Sequence, residues 1–325
     1  MRLVLIDGNH LLHRVLNTPG LQTLRTRQGK FTGGVFGFLR ALRGELDSLG
    51  RTPFVGIVVW DRGKSARRLS IFPSYKQRPD VYPEHPLGDY RAEFREQQRL
   101  LKLLIPKLGV RMVSFSGREA DDVIAALVEL TEFNSVYVVS EDSDYLQLIR
   151  EEKNKVVVVI RPIRKEIWSF SKFVEVKGYR PRFYVLEKAL MGDKSDKIPG
   201  VRGIGEKTAW KITKDYYVEC GGRPDARSLY DFLVDLVKTT KDGRYRSSIQ
   251  RVVDGVGTLV RNVALIDLSL EEFWELEKES LTRLQEPEER NLKLYDEVRE
   301  TFKELEFNEV LLNYTVWTTP FRWLV

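Results

Sequence analysis

At 325 residues the chain has room for about two domains with cores of their own, and 42% hydrophobic with 31% charged residues marks it as globular. Its single cysteine, Cys220, excludes an internal disulfide framework and a cysteine-rich zinc site, and fits a reducing cytosol. Lysine and arginine number 53 against 47 acidic residues, a net +6 that suits a polyanionic partner, while the longest clean apolar runs (54–60 and 156–160) are too short to span a bilayer.

In chain order, residues 3–6 read as a buried strand ending at Asp7, with neither the basic region nor the long apolar core of a signal peptide before it. A second strand, 55–60, ends at Asp61. Residues 62–107 then hold eleven Lys/Arg against five Asp/Glu, and their proline-bearing first half is long for a connection, which predicts a functional excursion over the sheet. Strands follow at 110–115, 136–140 and 156–160, with 164–170 pairing back on the last as a hairpin. Short aliphatic runs alternating with helical stretches predict an α/β domain over 1–175, with a mostly parallel sheet covered on both faces. From residue 171 the pattern turns helical, giving an α-rich domain over 176–270. Residues 271–325 form a third region, rich in Glu and Leu before an aromatic tail that is expected to pack on the body.

Carboxylates recur where strands end. Asp7, Asp61, and Asp142 with Asp144 all follow apolar runs, and the carboxyl edge of an open α/β sheet is where ligands bind. Glu119, Asp121 and Asp122 open a helix after the third strand; Glu119 and Asp122 share a face, and Asp121 lies about 100° round. Asp193 and Asp196 could reach the same rim. Like charges so close must take up protons or be neutralised, and clustered oxygen donors suit magnesium or manganese, two ions better than one for this number. His10 and His13 are not assigned as ligands.

Gly200, Gly203 and Gly205 punctuate a turn before a helix that begins at Glu206. Because Glu206 separates the last glycine from Lys207, the segment is not a Walker loop. It reads instead as a helix-turn-helix variant whose backbone N–H groups could hold a DNA phosphate, reinforced by Arg202, Lys207 and Lys211.

Taken in order, Leu5-Ile6-Asp7-Gly8-Asn9, Asp61-Arg62-Gly63-Lys64-Ser65, Tyr75-Lys76, Glu119-Ala120-Asp121-Asp122, Ser140-Glu141-Asp142-Ser143-Asp144 and the stretch from Met191 to Gly205 form one pattern. With a weaker echo at Arg261-Asn262-Val263-Ala264-Leu265-Ile266-Asp267-Leu268, it resembles the bacteriophage 5′ nucleases, including phage ribonuclease H, and the 5′ nuclease domain of bacterial DNA polymerase I. The resemblance implies a PIN-like α/β core, an arch at about 62–107 and a helix-three turn-helix element gripping duplex DNA. It implies two magnesium ions, replaceable by manganese: Asp7, Asp61, Glu119 and Asp121 on the first, Asp144, Asp193 and Asp196 on the second, Asp142 between, and Asp122 nearby. Lys76 and Lys188 would approach the scissile phosphate, Tyr75 would stack on a terminal base, and Arg67 and Arg78 would contact DNA. Backbone carbonyls of the glycine-rich turn, at Val201 and Ile204, would hold potassium. Many relatives carry an Arg three residues after the arch lysine, whereas here Arg78 comes two after Lys76.

The implied activity is a structure-specific, metal-dependent 5′-3′ exonuclease and flap endonuclease acting on branched or nicked DNA and RNA–DNA hybrids in replication or repair. A monomer is expected, in the cytoplasm (the host's, for a phage-encoded chain), with replication proteins such as a single-strand-binding protein or clamp as partners. A DNA-binding scaffold that has lost catalysis, and a PIN-like ribonuclease, are the alternatives; the first sits poorly with an intact carboxylate set, the second with the glycine-rich turn. A phosphoaspartyl phosphatase would need a paired acid two residues after its nucleophile, where Asn9 stands instead.

Overall fold

The computed structural model describes residues 1–77, 84–220, 226–269, 272–286 and 294–325. Strands β1 (Arg2–Asp7), β2 (Phe54–Val59), β3 (Arg111–Val113), β4 (Ser135–Val139), β5 (Arg150–Glu152), β6 (Lys155–Arg161) and β7 (Glu166–Trp168) form one sheet in the order β3-β2-β1-β4-β6-β5, with β7 also on β6. The first five in that order run parallel, and β5 and β7 pair antiparallel with successive stretches of the far edge of β6. The expected 164–170 hairpin is this β6–β7 pair; β5 has no counterpart in the sequence reading. From β1 the chain steps outward through β2 to β3, then crosses to β4 on the other side, so the order reverses between β1 and β4. Such a reversal opens a crevice at the strands' carboxyl ends.

Period-two alternation sorts each strand's side chains into two buried layers. Leu3 and Leu5 of β1 and Val55, Ile57 and Val59 of β2 face one apolar cluster; Val4, Ile6, Phe54 and Val58 face the other. The second cluster is covered by α1 (Gly8–Leu16), the short α2 (Pro19–Gln22), α3 (Gly33–Ser48) and, beyond α4 (Ala66–Ile71), by α5 (Tyr90–Leu104). Of these, α5 is a body helix. Gln97 is fully buried on it, accepting from Val35 N at 2.9 Å and donating to Phe31 O at 3.0 Å, and Leu101 and Leu104 lie in the core. The expected excursion has therefore returned to the body by Tyr90. Arg78 lies outside the described residues.

The first cluster holds α6 (Ala120–Leu130) and continues through α7 (Phe170–Lys177), α8 (Tyr184–Met191), α9 (Glu206–Cys220), α10 (Ala226–Thr239), α11 (Gly243–Asp254), α12 (Val256–Ile266) and Leu281 of α13 (Glu272–Arg283). One continuous apolar layer thus joins the sheet to the helical half. By contrast α14 (Leu294–Glu304) and the tail pack on the opposite face. Phe302, Phe321 and Leu324 are buried there, Arg43 Nε donates to Trp317 O at 2.9 Å, and Val325 N donates to Phe54 O at 3.1 Å beside the Phe54–Leu324 bridge. No helix among the described residues is long and apolar enough to cross a membrane.

Candidate active site

The crevice at the carboxyl edge opens into a cleft of about 860 Å³ whose lining includes Asp7, Asp61, Glu119, Asp121, Asp142, Asp193 and Asp196, with Lys76 among them. Seven of the nine carboxylates expected from sequence therefore share one cavity. Asp7 ends β1 and caps α1, accepting from His10 N at 2.9 Å, and its other oxygen accepts from Tyr145 Oη at 3.1 Å. Asp61 follows β2 and reaches across to the start of α6, accepting from Ala120 N at 2.7 Å. Asp142 follows β4 and accepts from Asp144 N at 2.9 Å.

Burial leaves these groups short of water. It pushes Asp61 up to about 7, with repulsion from Asp7 adding to it; Asp142 and Asp196 rise to about 6 and Asp144 to about 7, burial again leading. Burial likewise raises Asp7. For Asp121 burial is outweighed by Arg68 and Lys76, which hold its carboxyl below the ordinary range; Lys188 outweighs it at Asp193, which falls to about 2.

Two lysines supply the counter-charge. Lys76 Nζ lies 3.1 Å from Glu119 and 3.7 Å from Asp196, joining the carboxylate at the start of α6 to one beyond α8. Its backbone takes a left-handed φ of +46°, and its N–H donates to Asp196 O at 2.9 Å, so the turn itself aims the side chain inward. Lys188, on α8, is 2.6 Å from Asp144 and also paired with Asp193. Lys188 thereby ties Asp144 to Asp193, which lines the cleft.

Three residues behave differently from expectation. Tyr75 does not offer a ring to a base: it is 1% exposed, and its hydroxyl donates to Glu119 at 2.8 Å and Asp196 at 3.2 Å. Asp122 does not face the cleft, because Arg68 takes both of its oxygens, at 2.7 and 2.9 Å. Its carboxylate, with those of Glu119 and Asp121, still falls in one group whose oxygens lie within 4.8 Å of one another. Arg67 is not aimed at the cleft either; it donates to Ala264 O at 2.7 Å. Sequence reasoning assigned Arg68 no role, since one arginine in a basic stretch shows no sign of its burial.

The Asp193–Asp196 turn depends on close backbone packing. Gly192 sits at φ +74° and ψ −177°, a region open essentially to glycine, and a Cβ there would lie 2.3 Å from Gly200 N. This lets residues 192–193 pair with 198–199. Asn262, fully buried on α12, fixes the same turn by donating to Ala189 O and Pro199 O, both at 2.8 Å. Downstream, Gly203 takes φ +77° and Ile204 N donates to Val201 O at 3.0 Å, which delivers the chain into α9 with Arg202, Gly205 and Lys207 exposed.

An all-oxygen donor set, desolvated and mutually repelling, fits hard divalent cations. The family model described as the 5′-3′ exonuclease N-terminal resolvase-like domain matches residues 2–178. The 5′-3′ exonuclease of Bacillus subtilis (strain 168) is 33% identical over 218 residues, 66% of this chain and 70% of that protein. DNA polymerase I of Mycobacterium tuberculosis (strain H37Rv) is 34% identical over 272 residues; the match covers 81% of this chain and 28% of the polymerase. Among solved structures, the bacteriophage T5 flap endonuclease in a pseudo-enzyme-product complex with DNA and metal ions is alike in fold, with a TM-score of 0.62 at 20% identity over 88% of this chain and 99% of that one. The matched family model spans more than half of the chain, and the strand-end carboxylates Asp7, Asp61, Asp142 and Asp144 all lie inside it: this chain belongs to the 5′-3′ exonuclease family, and it is a nuclease.

Proposed function

We propose that the chain is a structure-specific 5′ nuclease that hydrolyses phosphodiesters at flaps and nicks in branched duplex DNA, and at RNA–DNA junctions, during replication or repair. The observation that carries this reading is the single cleft floor of carboxylates at the strand ends, with Lys76 among them and Lys188 paired with Asp193. Magnesium, with manganese as a substitute, suits the donors. Asp7, Asp61, Glu119 and Asp121 would hold one ion, Asp144, Asp193 and Asp196 a second, and Asp142 would lie between. Two such ions supply an activated water and stabilise the leaving 3′ oxygen.

The chain's own groups do the rest. Lys76 and Lys188 offset negative charge gathering on the phosphate, and their ammonium groups are already fixed by the carboxylates around them. Exposed Arg202 and Lys207, with the backbone N–H groups of the glycine-rich turn, would take duplex phosphates, while the carbonyls of Val201 and Ile204 would accept potassium. The DNA in the T5 complex supports a DNA substrate here. A monomer in the cytoplasm, working beside a single-strand-binding protein or clamp, completes the reading.

The test is cleavage of a 5′-labelled flap duplex in magnesium, manganese or EDTA by the wild type, Asp142→Asn and Lys76→Ala, with binding measured in calcium. We expect metal-dependent cutting near the junction, lowered at least about 100-fold by either substitution while binding stays within a few-fold. Tight binding by a wild type that cuts nothing would instead make the chain a scaffold.

A further inference from the structure

Arg68 is 1% exposed on α4, and four of its N–H groups are spoken for. Nη1 donates to Glu119 Oε2 at 2.7 Å and Asp122 Oδ2 at 2.9 Å, Nη2 donates to Asp122 Oδ1 at 2.7 Å, and Nε donates to Leu265 O at 2.8 Å. The last contact is on another body of structure: Leu265 lies in the final turn of α12, where carbonyls lack helical partners and a cation is favoured. Neighbouring Arg67 holds Ala264 O in the same turn. Further along α12, Asn262 holds Pro199 at the glycine-rich turn. Four residues after α4, Tyr75 donates to the same Glu119 oxygen that Arg68 uses, leaving the other oxygen toward Lys76 and the cleft.

We propose that Arg68 is a positioning residue that fixes Glu119 for metal binding only while α12 is seated, so that the helix anchoring the glycine-rich turn and the metal centre are set together. The proposal rests on the metal-dependent nuclease reading. A planar guanidinium can satisfy a bidentate carboxylate, a second carboxylate and a carbonyl at once; a lysine ammonium cannot hold that fork. Outer-shell partners of this kind orient ligands, and their loss costs about 10- to 100-fold in metal affinity. Coupling must also run both ways: a cation that orders Glu119 must tighten the end of α12.

The experiment uses the full chain as wild type, Arg68→Met, Arg68→Lys and Arg68→Met/Asp122→Asn. Manganese binding without DNA is measured by calorimetry, hydrogen exchange in the last turn of α12 with and without manganese, and single-turnover flap cleavage alongside duplex affinity in calcium. Expected are a loss in manganese affinity of about tenfold or more in Arg68→Met, partial recovery in Arg68→Lys, and duplex affinity within about threefold of wild type. Manganese should slow exchange in α12 of the wild type and not of Arg68→Met. The double variant removes the carboxylate left unpaired in the core, so it should regain thermal stability without regaining manganese affinity. Wild-type manganese affinity in the double variant, or equal slowing of α12 exchange in all variants, would overturn the proposal. Weakened manganese binding by Arg68→Met beside a wild type that cuts no substrate would keep the positioning role and remove the nuclease reading.

Discussion

At the scale of single residues, protons and cations compete for the same oxygens. Asp61 and Asp144 at about 7, with Asp142 and Asp196 at about 6, are half protonated within the range where an enzyme of this kind would be assayed. Metal must displace those protons, so the magnesium concentration for half-maximal cutting should fall steeply from pH 5.5 to about 8 and level off above; a flat dependence would refute these shifts. The same groups set a sign for stability. Their folded values lie above the unfolded 3.8, so the stability they confer is complete below that value and is lost as pH rises through 6 to 7. In EDTA the melting temperature should therefore drop between pH 5 and 8, and excess magnesium at pH 8 should restore it. Asp193, lowered to about 2, acts with the opposite sign and only at acid pH, outside this window. The carboxylates themselves were legible in the sequence, because an acidic residue directly after an aliphatic strand must sit at the sheet's carboxyl edge. Arg68 and the buried hydroxyl of Tyr75 were not, since their roles are made by partners about 50 and 44 residues away in the chain.

At the scale of elements, the turn between α8 and α9 is the least tolerant part of the site. A methyl at Gly192 would meet Gly200 N at 2.3 Å and Ile198 O at 2.4 Å, and one at Gly200 would meet Met191 O at 2.1 Å. Gly192→Ala should cost on the order of 1–3 kcal/mol from backbone strain alone. It should also weaken metal binding by displacing Asp193, to be read as a lowered melting temperature with a raised magnesium midpoint; an unchanged midpoint would mean that the turn's geometry is slack. Strand reading succeeded for β1, β2, β4 and β6 because the runs are aliphatic, buried on both faces in β1 and β2 and on alternate residues in β6. It missed β5, whose Arg150-Glu151-Glu152 sequence lies on the sheet's polar edge and carries no apolar signal. The arch expected at about 62–107 includes α5, which packs on the body from Tyr90 to Leu104. Of the basic residues of α5, Arg91 and Arg95 line the cleft and Arg99 and Lys102 are exposed, while Leu100, Leu101 and Leu104 are buried in the core, and total charge does not reveal which positions are which.

At the scale of the whole molecule, the tail is a structural part of the sheet layer. Leu324 is 1% exposed and fills the space that Gly56 leaves open on β2, and Arg111 Nη2 donates to Val325 O at 3.2 Å. Leu324→Ala should destabilise the fold by about 2–5 kcal/mol, as other large-to-small core changes do, while the cutting rate at 20 °C stays near that of the wild type, because the carboxylates lie at the other end of β2. A melting temperature unchanged by that substitution would show the tail to be dispensable. The aromatic tail's packing was expected from sequence, but its partner was not, since only the folded topology brings residue 324 beside residue 54. That pairing also has a meaning in time. A ribosome delivers β1 and β2 long before residue 324 exists, so until then Phe54 and Gly56 lack the side chain that seals them. The final locking step must then wait for a contact spanning some 270 residues, and refolding should show a slow last phase that Leu324→Ala abolishes.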